Sequence, residues 1–278
     1  MTDGPERSAG ERRQSGEGAV TSLASQALSV LATRRLSRDE RREEALLARI
    51  EAAVLDRDPN RRIAVLAEIR KASIPDAWVA EVLIPKVARR LGEDWCEDSR
   101  SFAEVTIGSA RLQAMVRDLD PSDASDEPDE APLLAVVVPE HEFHTLGALT
   151  LTGQLRRLGF AVKLLLGADE AEVVDALSVE RFDAVFVSAS DCETTAGLSR
   201  LVGTIRRAAG PATPVIVGGS AITRGMADTG RIGADYYTSD VFEALSVCGL
   251  KLPRTGDQCH VMMAEAEAPA SRRVETRL

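Results

Sequence analysis

The spacing of apolar residues divides the chain into two parts with different secondary structure. Between residues 21 and 119, apolar side chains recur at intervals of three and four, which is the period of one helix face. This pattern predicts a helical bundle, with helices near residues 21–35, 38–56, 59–71, 75–92 and 101–119. After residue 132 the pattern changes to short apolar runs separated by helical segments.

The fourth predicted helix has the clearest pattern, with apolar residues at positions 79, 82, 83, 87 and 91. Pro75 suits its first turn, and Gly92 is the residue expected to end it. Pro85 lies inside the helix, where a proline removes a backbone hydrogen bond, and it therefore predicts a kink.

Short β-branched runs in the second part predict five strands, at residues 133–139, 160–166, 182–187, 214–217 and 234–238. Helical patterns follow them, near residues 145–158, 169–179, 194–209, 220–228 and 240–249. The alternation predicts an α/β domain with a flavodoxin-like (Rossmann-like) doubly wound parallel five-stranded sheet, covered by helices on both faces.

The segments around these two parts differ from them in composition. Residues 1–20 are polar and predicted to be disordered, residues 120–131 are predicted to form an acidic linker, and residues 253–278 a flexible tail. The helical bundle is therefore expected to cover residues 21–119, and the α/β domain residues 132–252.

Charge and cysteine content restrict the function. The net charge of −10 disfavours direct DNA binding, because phosphate backbones attract clustered Lys and Arg, and it favours a small ligand or a protein partner. The four cysteines are not at metal-binding spacing, and no apolar stretch is typical of a signal peptide or a membrane span. We therefore expect a cytoplasmic protein with no membrane contact.

Polar residues and glycines follow three of the predicted strands. His144 follows the first strand, Ser188 and Ser190 follow the third, and Gly218 and Gly219 follow the fourth. Taken alone, each has an ordinary explanation as a solvated loop residue, a helix N-cap or a turn. In a doubly wound sheet, however, ligands bind at the carboxyl ends of the strands, and here that means between the first and the third. The shared position therefore predicts a ligand-binding crevice.

The same residues resemble the motif of cobalamin-binding domains in corrinoid enzymes, which reads DxHxxG, then SxL, then GG. Here residues 142–147 are followed after 40 residues by residues 188–190, and these are followed after 27 residues by residues 218–219. Two positions depart from the family pattern, because Glu142 replaces its Asp and Ser190 replaces its Leu.

The resemblance implies that the cofactor is cobalamin, in its adenosyl or hydroxo form. His144 would coordinate the cobalt in place of the cofactor's own benzimidazole, and Glu142 would hold the other ring nitrogen of His144. Ser188 would hydrogen-bond the buried benzimidazole, and the glycines would let the nucleotide tail pass close to the backbone. The motif residues with an implied cofactor role are Glu142, His144, Thr145, Gly147, Ser188, Ser190, Gly218 and Gly219.

Residues 73–117 resemble the helical cap that precedes this domain in methionine synthase and in CarH-type light sensors. The resemblance implies that Trp95 binds the cofactor by covering the upper face of the corrin. The histidine that follows in those proteins is absent, because Val105 occupies its place. A plain core position is the alternative for Trp95, and Trp78 is predicted to pack in the core.

Residues 91–113 and 140–160 are most similar to the AerR/PpaA family, the cobalamin-binding antirepressors of photosynthesis genes in purple bacteria. This resemblance implies a light- or redox-responsive regulator whose partner is a PAS and helix-turn-helix repressor of the CrtJ/PpsR type. No phosphate-binding loop or nucleophile elbow is present, and we do not expect an enzyme. Two alternatives stay open: a corrinoid protein that carries methyl groups for a methyltransferase system, and a haem-binding sensor.

Overall fold

The computed structural model describes residues 39–120, 131–190, 193–225 and 228–252. Three predicted features therefore lie outside the described residues: the disordered residues 1–20, the helix at 21–35 and the tail at 253–278. The same holds for nearly all of the predicted linker at 120–131.

The first part of the chain is helical, as predicted. Its helices are α1 (residues 39–55), α2 (Asn60–Lys71), α3 (Asp76–Trp78), α4 (Ile84–Cys96) and α5 (Phe102–Asp118). A π-helical segment, Val79–Leu83, joins α3 to α4. The helices pack around fully buried apolar side chains, among them Ile50, Leu83, Val87, Leu91 and Leu112.

The predicted end of the fourth helix at Gly92 is wrong, because α4 continues to Cys96. The helix ends where Asp98 takes a left-handed backbone conformation, with φ 54°. Its N–H then donates to Trp95 O at 3.1 Å, and Ser99 N–H donates to Asp94 O at 2.9 Å, which satisfies the last carbonyls of the helix. Pro85, at which the sequence predicts a kink, lies in the first turn of α4 directly after the π segment, whose wider turn accommodates a residue without an N–H.

The second part forms the predicted five-stranded parallel sheet, in the order β2-β1-β3-β4-β5. The strands are β1 (Leu133–Pro139), β2 (Ala161–Ala168), β3 (Ala184–Ser188), β4 (Val215–Gly218) and β5 (Tyr236–Tyr237). Side chains of β1 alternate between two apolar clusters, with Val137 packed against one layer of helices and Val136 against the other. The sheet is therefore covered on both faces, which confirms the doubly wound fold.

The helices around the sheet are α6 (Leu146–Arg157), α7 (Glu170–Ser178), α8 (Thr195–Ala209), α9 (Ser220–Thr223), α10 (Thr229–Ile232) and α11 (Val241–Val247). The single helix predicted at 220–228 is wrong, because α9 and α10 are two separate short helices. Gly225 follows α9 with a left-handed φ of 64°, a conformation that a continuing helix does not contain.

Helix α6 joins the two parts of the molecule. One of its faces packs on the sheet through Leu155, while Leu149 belongs to the core of the helical part. A largely buried ion pair crosses the same boundary, with Arg157 Nη2 2.7 Å from Glu81 Oε1 of the π segment. The helical part therefore rests directly on the helix that follows the first strand.

Candidate functional site

The loops after β1 and β3 lie side by side at the carboxyl edge of the sheet, because the strand order places these two strands next to each other. The first loop runs from Pro139 to Leu146, where α6 begins. A hydrogen bond joins the loops, in which Ser190 N–H donates to Glu142 Oε2 at 3.0 Å. This is the edge at which the sequence predicts a ligand crevice.

Glu142 is a buried carboxylate, with only 1% of its side chain exposed. Besides the N–H of Ser190, it accepts the backbone N–H of His144 at 2.6 Å. Burial raises the pKa of Glu142, but the hydrogen bonds from Ser190 and His144 outweigh burial and hold its pKa below the ordinary value. Glu142 is therefore ionised at neutral pH, and it holds both loops in place.

The imidazole of His144 is fixed at one nitrogen and open at the other. Nδ1 lies 2.8 Å from Glu142 Oε1, and since a carboxylate can only accept, Nδ1 carries the proton. The side chain is 70% exposed, so Nε2 is the ring nitrogen at the solvent side of the edge. This is the arrangement that metal-binding histidines adopt, with a carboxylate setting the tautomer.

A cavity of about 410 Å³ extends from this edge between α6, α11 and the sheet. Its floor is apolar, formed by strand residues such as Phe186 and Ile216, and its volume is in the range of small-molecule sites. It is lined by Glu81, Pro85, Leu146, Gly147, Thr150, Leu151, Gln154, Phe186, Val187, Ser188, Ile216, Gly218, Gly219, Thr238, Ser239, Asp240, Val241 and Ala244.

Four of the residues singled out in the sequence line this cavity, namely Gly147, Ser188, Gly218 and Gly219. The other motif residues do not line it; these are Glu142, His144, Thr145 and Ser190. Ser190, to which the family resemblance gives a cofactor role, is buried instead beside Glu142, and its N–H donates to that carboxylate. Thr145 is the N-cap position of α6, without a side-chain cap bond.

The glycines have different structural roles. A Cβ on Gly219, whose φ is 102°, would collide with the backbone oxygen of Ala189, and a Cβ on Gly218 would lie 2.6 Å from the backbone oxygen of Thr238. These two glycines therefore allow close approach of the protein's own backbone. At Gly147 nothing lies within 4 Å of the Cβ position, so this glycine leaves open space at the cavity wall.

Sequence reasoning missed the polar residues on the α6 wall. These are Thr150 and Gln154, which lie three and seven residues after Gly147 and so share its face of the helix. That spacing from a motif residue was the sequence signal that could have identified them. Glu81 of the π segment also reaches the cavity, which no sequence pattern indicated. Burial raises the pKa of Glu81 despite its ion pair with Arg157.

Trp95 lies near the end of α4 and is not a core residue, since 49% of it is exposed. Its ring packs at a tilt on that of Phe102, with 6.2 Å between centroids, and Phe102 is more exposed still. Because half of Trp95 is exposed, the alternative of a plain core position for it is wrong. Trp78, in contrast, packs against the helical core, as predicted.

Residues 132–246 match the family model described as B12 binding domain. The chain is also 30% identical over 181 residues to an uncharacterized 20.5 kDa protein in the bchF–crtJ intergenic region of Rhodobacter capsulatus, covering 64% of this chain and 94% of that protein. The chain belongs to the AerR-type family of cobalamin-binding proteins. This confirms both the predicted family and the predicted cofactor.

The fold of this AerR-type chain is also that of corrinoid proteins. The monomethylamine corrinoid protein of Methanosarcina barkeri superposes with a TM-score of 0.59 at 15% identity, over 73% of this chain and 97% of that one. The similarity extends beyond the matched domain, because 73% of the chain is more than the sheet and its helices occupy.

The residues present fit a cobalamin. His144 offers one ring nitrogen on the exposed side of the edge, and Gly147 leaves space beside it at the mouth of a cavity with an apolar floor. Within the described ranges there is no group of three or more His, Cys, Asp or Glu side chains that could hold a metal ion. In that same part of the chain, no helix is long and apolar enough to cross a membrane.

Proposed function

We propose that His144 Nε2 is the lower ligand of the cobalt in cobalamin, in place of the cofactor's nucleotide base. The observation that carries this proposal is the contact of 2.8 Å between His144 Nδ1 and the buried Glu142. Glu142 fixes the tautomer and the direction of the ring, and it makes Nε2 the more basic nitrogen. Histidine imidazole is a common protein ligand for transition metals.

The displaced nucleotide tail then occupies the cavity beside α6. Gly147 leaves room at its mouth, Ser188 offers a hydroxyl on the sheet side, and Gly218 and Gly219 shape the far wall. The bond from Ser190 N–H to Glu142 holds together the loops that carry these residues. The helical part acts as the cap, with Trp95 supplying its exposed aromatic ring to the upper face of the corrin.

Visible spectroscopy tests the cobalt ligand. Purified protein loaded with hydroxocobalamin should show the spectrum of a corrinoid whose lower base has been replaced by histidine, and it should keep the corrinoid through desalting. His144→Ala should lose that spectrum, whereas His141→Ala should keep it, because His141 Nε2 lies 4.0 Å from Glu140 and that ring is not oriented by a hydrogen-bonded carboxylate. Equal spectra and retention for His144→Ala and the unsubstituted protein would refute the ligand.

We further propose that the protein is a cytoplasmic regulator rather than an enzyme, and that it acts as an antirepressor on a repressor of the CrtJ/PpsR type. Two observations support this: the similar Rhodobacter protein is placed between bchF and crtJ, and a net charge of −10 favours a protein partner over DNA. When adenosylcobalamin is bound, its cobalt–carbon bond provides a light-sensitive group. The signal then alters the helical cap.

A mobility-shift titration tests the regulatory role. The loaded protein, kept dark or illuminated, is added to a CrtJ-type repressor bound to its DNA at about 0.15 M salt, where electrostatic DNA binding is screened. Loss of the repressor–DNA complex only with loaded protein is expected. Tight sequence-selective DNA binding by this chain alone would contradict the proposal. Transfer of a methyl group to the bound cobalt by a methyltransferase would instead favour a methyl carrier.

A further inference from the structure

The exposed side of α5 is apolar along most of the helix. The opposite side of α5 is buried in the helical core through Leu112, Met115 and Val116. We call the exposed side the α5 face, and its largest side chain is Ile107, of which 49% is exposed. The α5 face consists of Ala103, Thr106, Ile107, Ala110 and Ala114, which lie along one side of the helix and are all exposed.

The α5 face is unusual for this chain, in which 28% of the residues are charged. In this fully described helix, no exposed residue between Glu104 and Arg117 is charged. The exposed side of α2, by comparison, carries Arg61, Glu68 and Arg70. Helices at a protein surface normally expose polar residues, and an exposed apolar face is typical of a surface that another molecule covers.

Opposite charges lie at the two ends of the α5 face. Glu104 lies at its amino end and Arg117 at its carboxyl end, both exposed and almost equally far from Ala110. The face is therefore complementary to itself when a second copy of the helix runs in the opposite direction. With a two-fold axis between residues 110 and 111, Ile107 lies level with Ala114 of the second copy. Glu104 then lies level with Arg117, whereas a parallel pair would bring like charges together.

We propose that the α5 face is the interface of a homodimer, in which α5 packs antiparallel against α5 of a second copy of this chain. Ile107 fills the space beside the small Ala114 of the second copy, and two pairs of Glu104 with Arg117 fix the direction and the register. The interface needs neither cobalamin nor the repressor, so the inference goes beyond the proposed function. A single pair of helices buries less area than a standard interface, and we expect association in the micromolar range.

Sedimentation velocity of the full-length, unloaded protein at about 1 to 200 µM tests the dimer. The mass should rise from that of the 29.8 kDa monomer to about twice this value. Ile107→Arg should stay monomeric, because it places a charge inside the apolar interface. Ile63→Arg is the matched control, since Ile63 is 67% exposed on α2, and it should dimerise like the unsubstituted protein. Both variants should keep the Tm of the unsubstituted protein, because both positions are exposed.

Charge reversal tests the direction of the two helices. Glu104→Lys and Arg117→Glu should each weaken dimerisation about tenfold, because both attractive pairs become repulsive. Mixing the two variants should restore association, since the mixed dimer pairs opposite charges at both ends. Glu104 also accepts the N–H of Ser101 at 3.0 Å, and Glu104→Lys therefore removes a helix cap as well. Recovery on mixing separates the two effects, because a second copy does not replace the lost cap.

Cysteine cross-linking tests the register. In the proposed antiparallel pair, the two copies of Ala110 lie within about 2 Å of each other along the helix axis, whereas the two copies of Ala103 lie about 22 Å apart. Ala110→Cys should therefore give a disulfide-linked dimer on oxidation, and Ala103→Cys should not. Both variants also carry Cys96→Ser, because Cys96 is an exposed free thiol.

Three results would overturn the proposal. The first is a monomer at every concentration, and the second is a dimer that Ile107→Arg leaves at full strength. The third is cross-linking through Ala103→Cys, which indicates a parallel pair. If the unsubstituted protein is monomeric and Ile107→Arg fails to bind the repressor, the α5 face belongs to the repressor instead. None of these results depends on whether cobalamin binds, which the spectrum of the loaded protein reports separately.

Discussion

Replacing Glu142 by Gln should both destabilise the unloaded protein and weaken cobalamin binding. The carboxylate accepts from His144 through Oε1 and from Ser190 N–H through Oε2. An amide has only one oxygen. If that oxygen keeps the contacts with His144, the NH₂ group faces the N–H of Ser190, and two donors meet in a buried position.

The size of the effect follows from these contacts. A hydrogen bond to a charged group contributes about 1.5–3 kcal/mol, so losing one should lower the free energy of unfolding by about 2 kcal/mol. For a folded region of this size that corresponds to a Tm lower by about 4–8 °C. Changing the carboxylate partner of a metal-binding histidine typically costs about 10–100-fold in metal affinity, because a neutral amide polarises the imidazole less, and we expect the same range for hydroxocobalamin.

Urea unfolding at pH 7 and corrinoid titration measure the two effects separately. Glu140→Gln is the control, because Glu140 lies in the same loop but its side chain is exposed, and it should change neither quantity. If Glu142→Gln unfolds within about 0.5 kcal/mol of the unsubstituted protein, which is the usual size of a surface substitution, the carboxylate does not hold the loops. If its affinity for hydroxocobalamin is unchanged, the carboxylate does not orient His144.

Gly219→Ala should lower the free energy of unfolding by about 3 kcal/mol in urea titrations, because its Cβ would collide with Ala189 and its φ is 102°. Gly147→Ala should leave the free energy of unfolding unchanged but weaken cobalamin binding in a titration. If Gly147→Ala destabilises the protein and Gly219→Ala does not, the roles given to these glycines are wrong. Trp95→Ala should lower the free energy of unfolding by less than about 1 kcal/mol, because the ring is half exposed, and a larger loss would restore the core interpretation. Burial raises the pKa of Asp235, but hydrogen bonds from an arginine and a backbone N–H outweigh it and lower this pKa, so its contribution to stability is present above the ordinary carboxyl pKa and lost as the pH falls through the lowered value. Asp235→Asn should therefore unfold with a weaker dependence on acid, and an unchanged pH profile would contradict this.

The order and type of most elements could be predicted from the sequence, because strands buried on both faces are short apolar runs and helices repeat every three to four residues. The errors lie at the ends of elements. Gly92 does not end α4, since Asp98 adopts the left-handed conformation that a glycine would otherwise supply. Gly225, in contrast, adopts the left-handed conformation directly after α9. The sequence alone does not show that Gly225 ends a helix and Gly92 does not.

The sequence by itself also located His144, Ser188 and Gly218 at one edge of the sheet. Parallel strands end at the same edge, so residues that follow them are brought together whatever the details of packing. The positions of Thr150, Glu81 and Ser190 required the tertiary structure, because helical spacing shows that Thr150 shares a face with Gly147 but not what that face meets. They depend on which helix faces meet, on a π segment that reaches a cavity from another part of the chain, and on a loop that turns back to a buried carboxylate. Such contacts join residues far apart in sequence, and local patterns do not encode them.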